Sequence, residues 1–202
     1  MRTRAVLDVR DLPEHAFGHR APLWWGTVGL ALIEGTMFVL AMASYLYLRM
    51  DSRTWPPIRT PNPDLLIPTI NLVVMLASVA PMVRADLLSR RGGSVGKIRL
   101  ALVLATVLGL AALVLRWFEF DAFHVRWDTN AYGSIVWAIL GLHMAEIFAS
   151  VMEDVVFIVY TFRFPLDEKH RVDVSTSAVF WYFVVAIWIP LYVLLYFTPR
   201  LV

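Results

Sequence analysis

Five long apolar runs, separated by short charged connections, limit what this chain of 202 residues can fold into. The runs lie at residues 21–48, 65–83, 98–118, 131–162 and 174–198. A helix needs about 20 mostly apolar residues to cross the hydrocarbon core of a bilayer. Such runs become helices, because lipid offers no hydrogen-bond partners to the backbone. The sequence therefore predicts an all-α membrane bundle of five transmembrane helices.

Composition supports this class and excludes several others. Apolar residues make up 59% of the chain and charged residues 17%, against roughly 45–50% and about 25% in soluble domains. These values argue against a soluble enzyme, a disordered chain and a collagen-like fibre. The runs do not alternate polar and apolar residues, which argues against an outer-membrane barrel. The chain contains no cysteine, which excludes disulfides and thiolate metal sites.

The distribution of Lys and Arg predicts the orientation of the bundle. Residues 1–20 and the second and fourth connections together contain 12 of these residues, and the opposite side contains 6. Basic residues favour the cytoplasmic side. We therefore expect a cytoplasmic N-terminal arm over residues 1–20, a single membrane domain over residues 21–202 and a periplasmic C-terminus. The basic residues form no continuous stripe, so a nucleic-acid partner is not expected.

Glu34 is the only formal charge in the first run and lies near its middle. An acid at this depth costs at least a few kcal/mol in lipid, so it should face protein, water or a lipid headgroup. Two interpretations are open at this point. Glu34 is either a proton-linked or lipid-linked carboxyl, or a structural acid that is hydrogen-bonded to a neighbouring helix.

The fourth run contains a polar stripe and, next to it, a stripe of small residues. At about 100° per residue one broad face presents His143, Glu146, Ser150 and Glu153. A neighbouring face presents Gly141, Ala145 and Ala149. Small residues let helices approach closely, so we expect the small face to pack and the polar stripe to meet a partner helix or a cavity. His143 and Glu146 should make an interhelical contact, with Glu119 or Glu34 as candidate partners.

Asn71 and Ser78 lie seven residues apart in the second run, on one face of the helix. Both are predicted to hydrogen-bond across helices.

A metal site has little support. His143 is the only histidine within a run, and His143-x-x-Glu146 supplies only two ligands on one face. Bis-histidine haem and three-histidine copper sites need more histidines at depth. We therefore expect no metal or cofactor to be bound by this chain.

Five short motifs, in order along the chain, resemble subunit III of the haem-copper oxidases in its five-helix bacterial form. The first run contains the family pattern G-x7-E-x3-F-x6-Y-x3-R as Gly26, Glu34, Phe38, Tyr45 and Arg49. The other matching positions are Asn71 and Ser78, Glu119 between aromatic residues, the run Tyr132-Gly133-Ser134 with Gly141 and His143, and Trp181, Phe183 and Trp188. The resemblance covers nearly all of the chain after residue 23.

Four positions depart from the family pattern. Glu146 stands where the family has a second histidine, and Ser175 stands where it often has a glutamate. The family's W-H-F-V-D motif reads Trp181-Tyr182-Phe183-Val184-Val185, without its His and Asp. These departures keep a second interpretation open, an accessory chain of a nitric oxide reductase. A small stand-alone proton or cation transporter is a third.

The resemblance implies a supporting role in aerobic electron transport. A subunit III has no redox centre of its own and docks on catalytic subunit I, with subunit II in the same complex that reduces oxygen to water. Haem and copper would reside in those partner subunits, and phospholipid would occupy a cleft that Glu34 faces. The implied role is to stabilise the catalytic subunit and to support proton uptake in the bacterial inner membrane.

Overall fold

The computed structural model describes residues 16–201, which form five long α-helices and two short 3-10 helices, with no strand among them. The long helices are α1 (Pro22–Asp51), α2 (Leu66–Arg90), α3 (Val95–Asp121), α4 (Ala131–Arg163) and α5 (Glu168–Phe197). The predicted arm over residues 1–20 falls mostly on residues 1–15, which lie outside the described part of the chain.

Each of the five helices is long and apolar enough to cross a membrane. The predicted all-α bundle of five transmembrane helices is therefore confirmed. Of the five helices, α2 and α5 extend furthest beyond their predicted runs. α2 continues to Arg90, through Asp86, and α5 begins at Glu168, where the Asp167 carboxylate accepts a hydrogen bond from the backbone N–H of His170 at 2.9 Å. Charged residues and an N-cap can prolong a helix past its apolar segment.

Four of the helices form a closed ring, and the fifth lies outside it. α2 packs against α3 and α5, and α4 packs against the same two helices, so each ring neighbour is antiparallel. Among the long helices, α1 packs mainly along α4 and α5. Consecutive crossings place the starts of α1, α3 and α5 on one face of the bundle, called here the N-side. The starts of α2 and α4 lie on the opposite face, the C-side.

The C-side is closed by aromatic residues from the loops and helix ends. Trp55, in the α1–α2 loop, is 5% exposed and donates from Nε1 to the Tyr45 hydroxyl at 2.8 Å. Tyr45 in turn lies 2.9 Å from the Thr198 hydroxyl. The rings of Trp55 and Tyr132 meet edge to face, with centroids 5.0 Å apart. This packing fixes the C-side ends of α1, α4 and α5 relative to each other.

Candidate functional site

A fully buried ion pair lies at the centre of the ring. Arg116 and Glu119, both 0% exposed, are three residues apart on α3, and Nη1 of Arg116 is 2.5 Å from Oε2 of Glu119. Asn71 on α2 donates from Nδ2 to Oε1 of Glu119 at 2.6 Å, and the Tyr196 hydroxyl on α5 donates to Oε2 at 3.2 Å. Glu119 therefore accepts hydrogen bonds from three helices, which ties α2, α3 and α5 together.

His143 on α4 completes this group, called here the Arg116 cluster (Asn71, Arg116, Glu119, His143, Tyr196). Nη2 of Arg116 donates to Nδ1 of His143 at 3.0 Å, since a guanidinium has no acceptor. Nδ1 is therefore the acceptor, and Nε2 carries the proton that is donated to the Val184 carbonyl at 3.0 Å. His143 is thus a neutral imidazole with both nitrogens occupied, so it has no lone pair free for a ligand.

Trp188 on α5 covers the charge of the cluster. Cζ of Arg116 lies 3.5 Å from the centre of the Trp188 ring, and the same indole stacks on His143 with centroids 4.8 Å apart. A guanidinium over an indole face is stabilised by the ring quadrupole. The cluster is therefore held by its hydrogen bonds to neighbouring helices and by the face of the Trp188 ring.

Glu146 does not join the Arg116 cluster, although it lies only three residues beyond His143. On α4 it lies between His143, whose ring meets that of Phe38 on α1, and Ser150, which lines a cavity together with Glu34. The carboxyl of Glu146 is therefore next to that of Glu34 on α1. The polar stripe of α4 therefore divides: His143 faces the interior of the ring, and Glu146 faces α1. Of the two candidate partners, His143 reaches Glu119 through Arg116, and Glu146 meets Glu34.

A cavity of about 420 Å³ lies between α1, α4 and α5. Its α1 wall runs from Leu23, next to the N-side end, to Glu34 in the middle of the helix. The α4 wall includes Ser150 and Glu153, and the α5 wall includes Asp173. The cavity thus leads from the N-side to Glu34, which is half-buried, between a mostly apolar wall on α1 and the polar groups of α4 and α5.

Further acids lie on the N-side half of the bundle. The Ser177 hydroxyl is 3.1 Å from Oε2 of Glu153 and 3.5 Å from Oδ1 of Asp154, which is 2% exposed. Oδ1 of Asp86 accepts from Nε of Arg90 at 2.7 Å and from the Ser175 hydroxyl at 2.5 Å. Ser175, which replaces a family glutamate, therefore binds an acid instead of supplying one.

The remaining residues that the sequence singled out divide into buried and exposed positions. The Ser78 hydroxyl accepts from Nε1 of Trp181 at 3.0 Å, which links α2 to α5. Phe38 is 0% exposed and lies edge-on to His143. Phe183 packs against Gly35, and Arg49 donates to the Leu201 carbonyl at 3.3 Å. Gly26 is exposed on α1, with open space around it.

The role of Arg116 was not predicted from the sequence. In the sequence Arg116 is only one of the basic residues that indicate the orientation, whereas the structure buries it completely. A signal was present, because Arg116 and Glu119 stand three residues apart on one helix face, the spacing of an intrahelical ion pair.

The small stripe of α4 also differs from expectation. Ala145 and Ala149 stay exposed, and a methyl group at Gly141 would meet no atom within 4 Å. Within residues 16–201 this face therefore does not pack against another helix.

Residues 16–201 contain no group of three or more His, Asp or Glu side chains that could hold a metal ion.

The sequence model of the cytochrome c oxidase subunit III family matches residues 14–199, which is almost the whole chain. The chain belongs to this family. The buried Glu119 and His143 and the mid-helix Glu34, which the sequence motifs singled out, all lie within the matched region.

Named relatives agree with this assignment. The chain is 23% identical to cytochrome c oxidase subunit 3 of Synechocystis sp. over 204 residues, which covers 97% of the chain and 87% of the relative. It is 23% identical to the subunit 3 of Schizophyllum commune over 198 residues, covering 95% and 74%. The corresponding protein of Loxodonta africana is 24% identical over 143 residues, covering 70% and 54%.

This member of the subunit III family is a multi-pass membrane protein with five spanning helices. Its family resemblance extends over all five helices, including α1, which makes the fewest contacts with the rest of the bundle.

Proposed function

We propose that this chain is the non-catalytic subunit III of a haem-copper terminal oxidase in a bacterial inner membrane. It docks on catalytic subunit I, with subunit II in the same complex, and the partners hold the haem and copper that reduce oxygen to water. The family match over residues 14–199 carries this proposal. His143 is the only histidine inside a predicted span. Both of its ring nitrogens are hydrogen-bonded, which supports a structural role for this residue.

The Arg116 cluster stabilises the subunit from within. Its hydrogen bonds join α2, α3, α4 and α5 at one point, so the ring keeps a fixed shape while it is attached to a partner. Interhelical hydrogen bonds in membranes are worth about 0.6 kcal/mol on average, but a charge that loses its partner costs several times more. The cluster therefore opposes any change that would separate these helices.

α1 and the cavity beside it form the part of the subunit that faces lipid. Only 6% of the most apolar segment of α1 is buried, and its exposed side chains include Leu32, Ile33 and Leu40. Phospholipid chains cover this face in the membrane, and Glu34 lies at the edge of the cavity behind it. In this position Glu34 supports proton uptake by the complex from the N-side, which the distribution of Lys and Arg assigns to the cytoplasm.

Purification of the tagged chain from its native membrane in mild detergent tests this function. We expect a haem-containing catalytic chain to co-purify, with a visible spectrum typical of a terminal oxidase and with oxygen consumption. In the same complex Glu34→Ala should leave the haem content unchanged and hasten inactivation during turnover, while the exposed, remote Arg126→Ala serves as the control.

Other outcomes would contradict the proposal. A nitric oxide reductase chain in the preparation would assign the protein to that complex instead. A homo-oligomer that transports protons or cations in liposomes, without any haem, would make it a transporter.

A further inference from the structure

Glu34 and Glu146 form a pair of carboxyl groups without other donors. The two side chains lie opposite each other where α1 packs along α4, since Phe38, one turn beyond Glu34, meets His143, one turn before Glu146. Both carboxyl oxygens of Glu146 and Oε2 of Glu34 are buried and have no hydrogen-bond partner among residues 16–201. Glu146 is only 6% exposed. The described residues therefore supply no hydrogen-bond donor to these three oxygens.

Two ionised carboxylates in contact repel each other strongly in a medium of low dielectric constant. One proton between them removes the repulsion and makes a short, charge-assisted O–H···O⁻ hydrogen bond. The shared proton also gives the buried oxygens of Glu146 the donor that the protein does not supply. The contact is therefore favourable when the pair holds one proton and unfavourable when it holds none.

The cavity beside the pair has the size and chemistry to contain water. Its volume is about 420 Å³, and each water in the liquid occupies about 30 Å³. Ser150 lines the cavity, is 3% exposed, and has a hydroxyl group without a partner among the described residues. Glu153 and Asp173 line it nearer the N-side. An unpartnered buried hydroxyl next to carboxylates is a site at which a water molecule is expected.

We propose that Glu34 and Glu146 are a proton-sharing carboxyl pair, which is loaded and unloaded through water in the cavity along Ser150 and Glu153. Loading transfers one proton from water to the pair, so its charge changes from −2 to −1. One O–H bond forms on a carboxylate and one breaks on the donor water cluster, and no oxidant or reductant takes part. Glu146 is the residue that departs from the family histidine, so the pair is a property of this chain.

The charged and titratable groups around the pair are consistent with retention of one proton. The cationic Arg116 is neutralised by Glu119 and reaches this region only through the neutral His143. Glu153 and Asp173 line the same cavity, and Asp154 follows Glu153 on α4. The basic residues of the packed helices lie near the helix ends, as Arg49 on α1, Arg163 on α4, and Lys169, His170 and Arg171 on α5. Among residues 16–201, no cation is therefore placed beside the pair to keep both carboxyls ionised.

Infrared spectroscopy of whatever complex co-purifies with the chain tests this proposal, since it detects the C=O stretch of a protonated carboxyl. We expect one such band, sensitive to D₂O, to be lost in Glu34→Gln and equally in Glu146→Gln. In each variant the new amide donates to the remaining carboxylate, which then ionises. The control Glu153→Gln should keep the band, and both it and Ser150→Ala should slow the exchange of the band in D₂O.

Three results would overturn the proposal. A band that survives in Glu146→Gln would assign the proton to Glu34 alone. The absence of any difference between wild type and both Gln variants would mean that the pair is fully ionised. If the band exchanges in D₂O at an unchanged rate in Ser150→Ala and Glu153→Gln, protons do not reach the pair along these two side chains. This inference extends the proposed role of Glu34, yet the band reports on the pair alone, whereas turnover lifetime and haem content report on the role in the oxidase.

Discussion

Arg116 illustrates how a full charge is kept inside a membrane protein. The guanidinium is 0% exposed, and it contacts the Glu119 carboxylate, the His143 imidazole and the Trp188 ring. Every one of these groups is needed, because a charge without a partner in a low-dielectric interior pays a large desolvation penalty. The residue therefore depends on α4 and α5 directly and on α2 through Glu119, and the arrangement of these helices depends on it.

Replacement of Arg116 by methionine should destabilise the subunit strongly. The substitution keeps much of the side-chain volume, but leaves the Glu119 carboxyl buried without its cation. Breaking a buried ion pair on one side costs about 3–5 kcal/mol. We expect a marked fall in the unfolding midpoint of the subunit in a detergent titration.

An exposed ion pair provides the matched control, because it loses the same charge without a buried partner. Arg126 pairs with Asp128 at 3.2 Å, and the two side chains are 74% and 44% exposed. Arg126→Met should change the free energy of unfolding by less than about 1 kcal/mol. Equal effects of the two substitutions would contradict the view that Arg116 acts through its buried partners. The double variant Arg116→Met, Glu119→Gln should recover part of the loss.

At the level of helices, close packing depends on Gly109 in α3. A methyl group at this position would lie 2.7 Å from Cγ2 of Val151 on α4 and 3.4 Å from the indole of Trp181 on α5. Valine is branched at Cβ and has little freedom to move aside. Gly109 therefore sets the distance at which α3 meets α4 and α5.

Gly109→Ala and Gly141→Ala should have effects of opposite sign. At Gly109 the added methyl group forces the helices apart, and overpacking of this kind costs about 1–3 kcal/mol. At Gly141 no atom lies within 4 Å of the added methyl group, and alanine favours a helix over glycine by up to about 1 kcal/mol. Thermal or detergent unfolding of the two variants measures the difference. A destabilising Gly141→Ala in the isolated chain would show that this face does pack.

The small residues of α4 point outward because of the rotation of this helix about its axis. His143 lies against a polar partner on α3 and Glu146 against one on α1, and these two contacts fix the rotation of α4 about its axis. Ala145 and Ala149 then remain exposed. Polar contacts, rather than small residues, therefore determine which face of α4 is turned inward.

On the scale of the whole molecule, the two faces of the bundle differ in character. The C-side is closed by aromatic residues such as Trp55 and Tyr132, whereas the cavity opens toward the N-side and is lined by acids. Within residues 16–201, the cavity that reaches Glu34 therefore approaches it from the N-side. The proposed proton uptake requires that face to be cytoplasmic.

Site-specific labelling tests this orientation directly, since the chain contains no cysteine. Ser52, at the C-side end of α1, and Ser94, just before α3 on the N-side, are both exposed. In intact spheroplasts a maleimide that cannot cross membranes should modify Ser52→Cys and leave Ser94→Cys unmodified. After lysis both should react. The reverse pattern would place the cavity on the periplasmic side and contradict the proposed direction of proton uptake.

The number and position of the spanning helices followed from the sequence, because the bilayer imposes its length and polarity on each apolar run separately. The motifs around Glu34, Asn71 and Trp181 likewise identified the family before any tertiary contact was known. Helix ends were less well predicted, since α2 and α5 continue through charged residues where hydropathy no longer indicates a helix.

The rotation of each helix, and hence the partner of each polar side chain, required the folded structure. In a soluble helix the apolar face marks the interior, but in lipid the outward face is apolar as well, so this signal is lost. The burial of Arg116 and the division of the α4 stripe between Glu119 and Glu34 depend on contacts among four or five helices at once. Such contacts join residues that are far apart in the chain, and their geometry arises only when the helices pack.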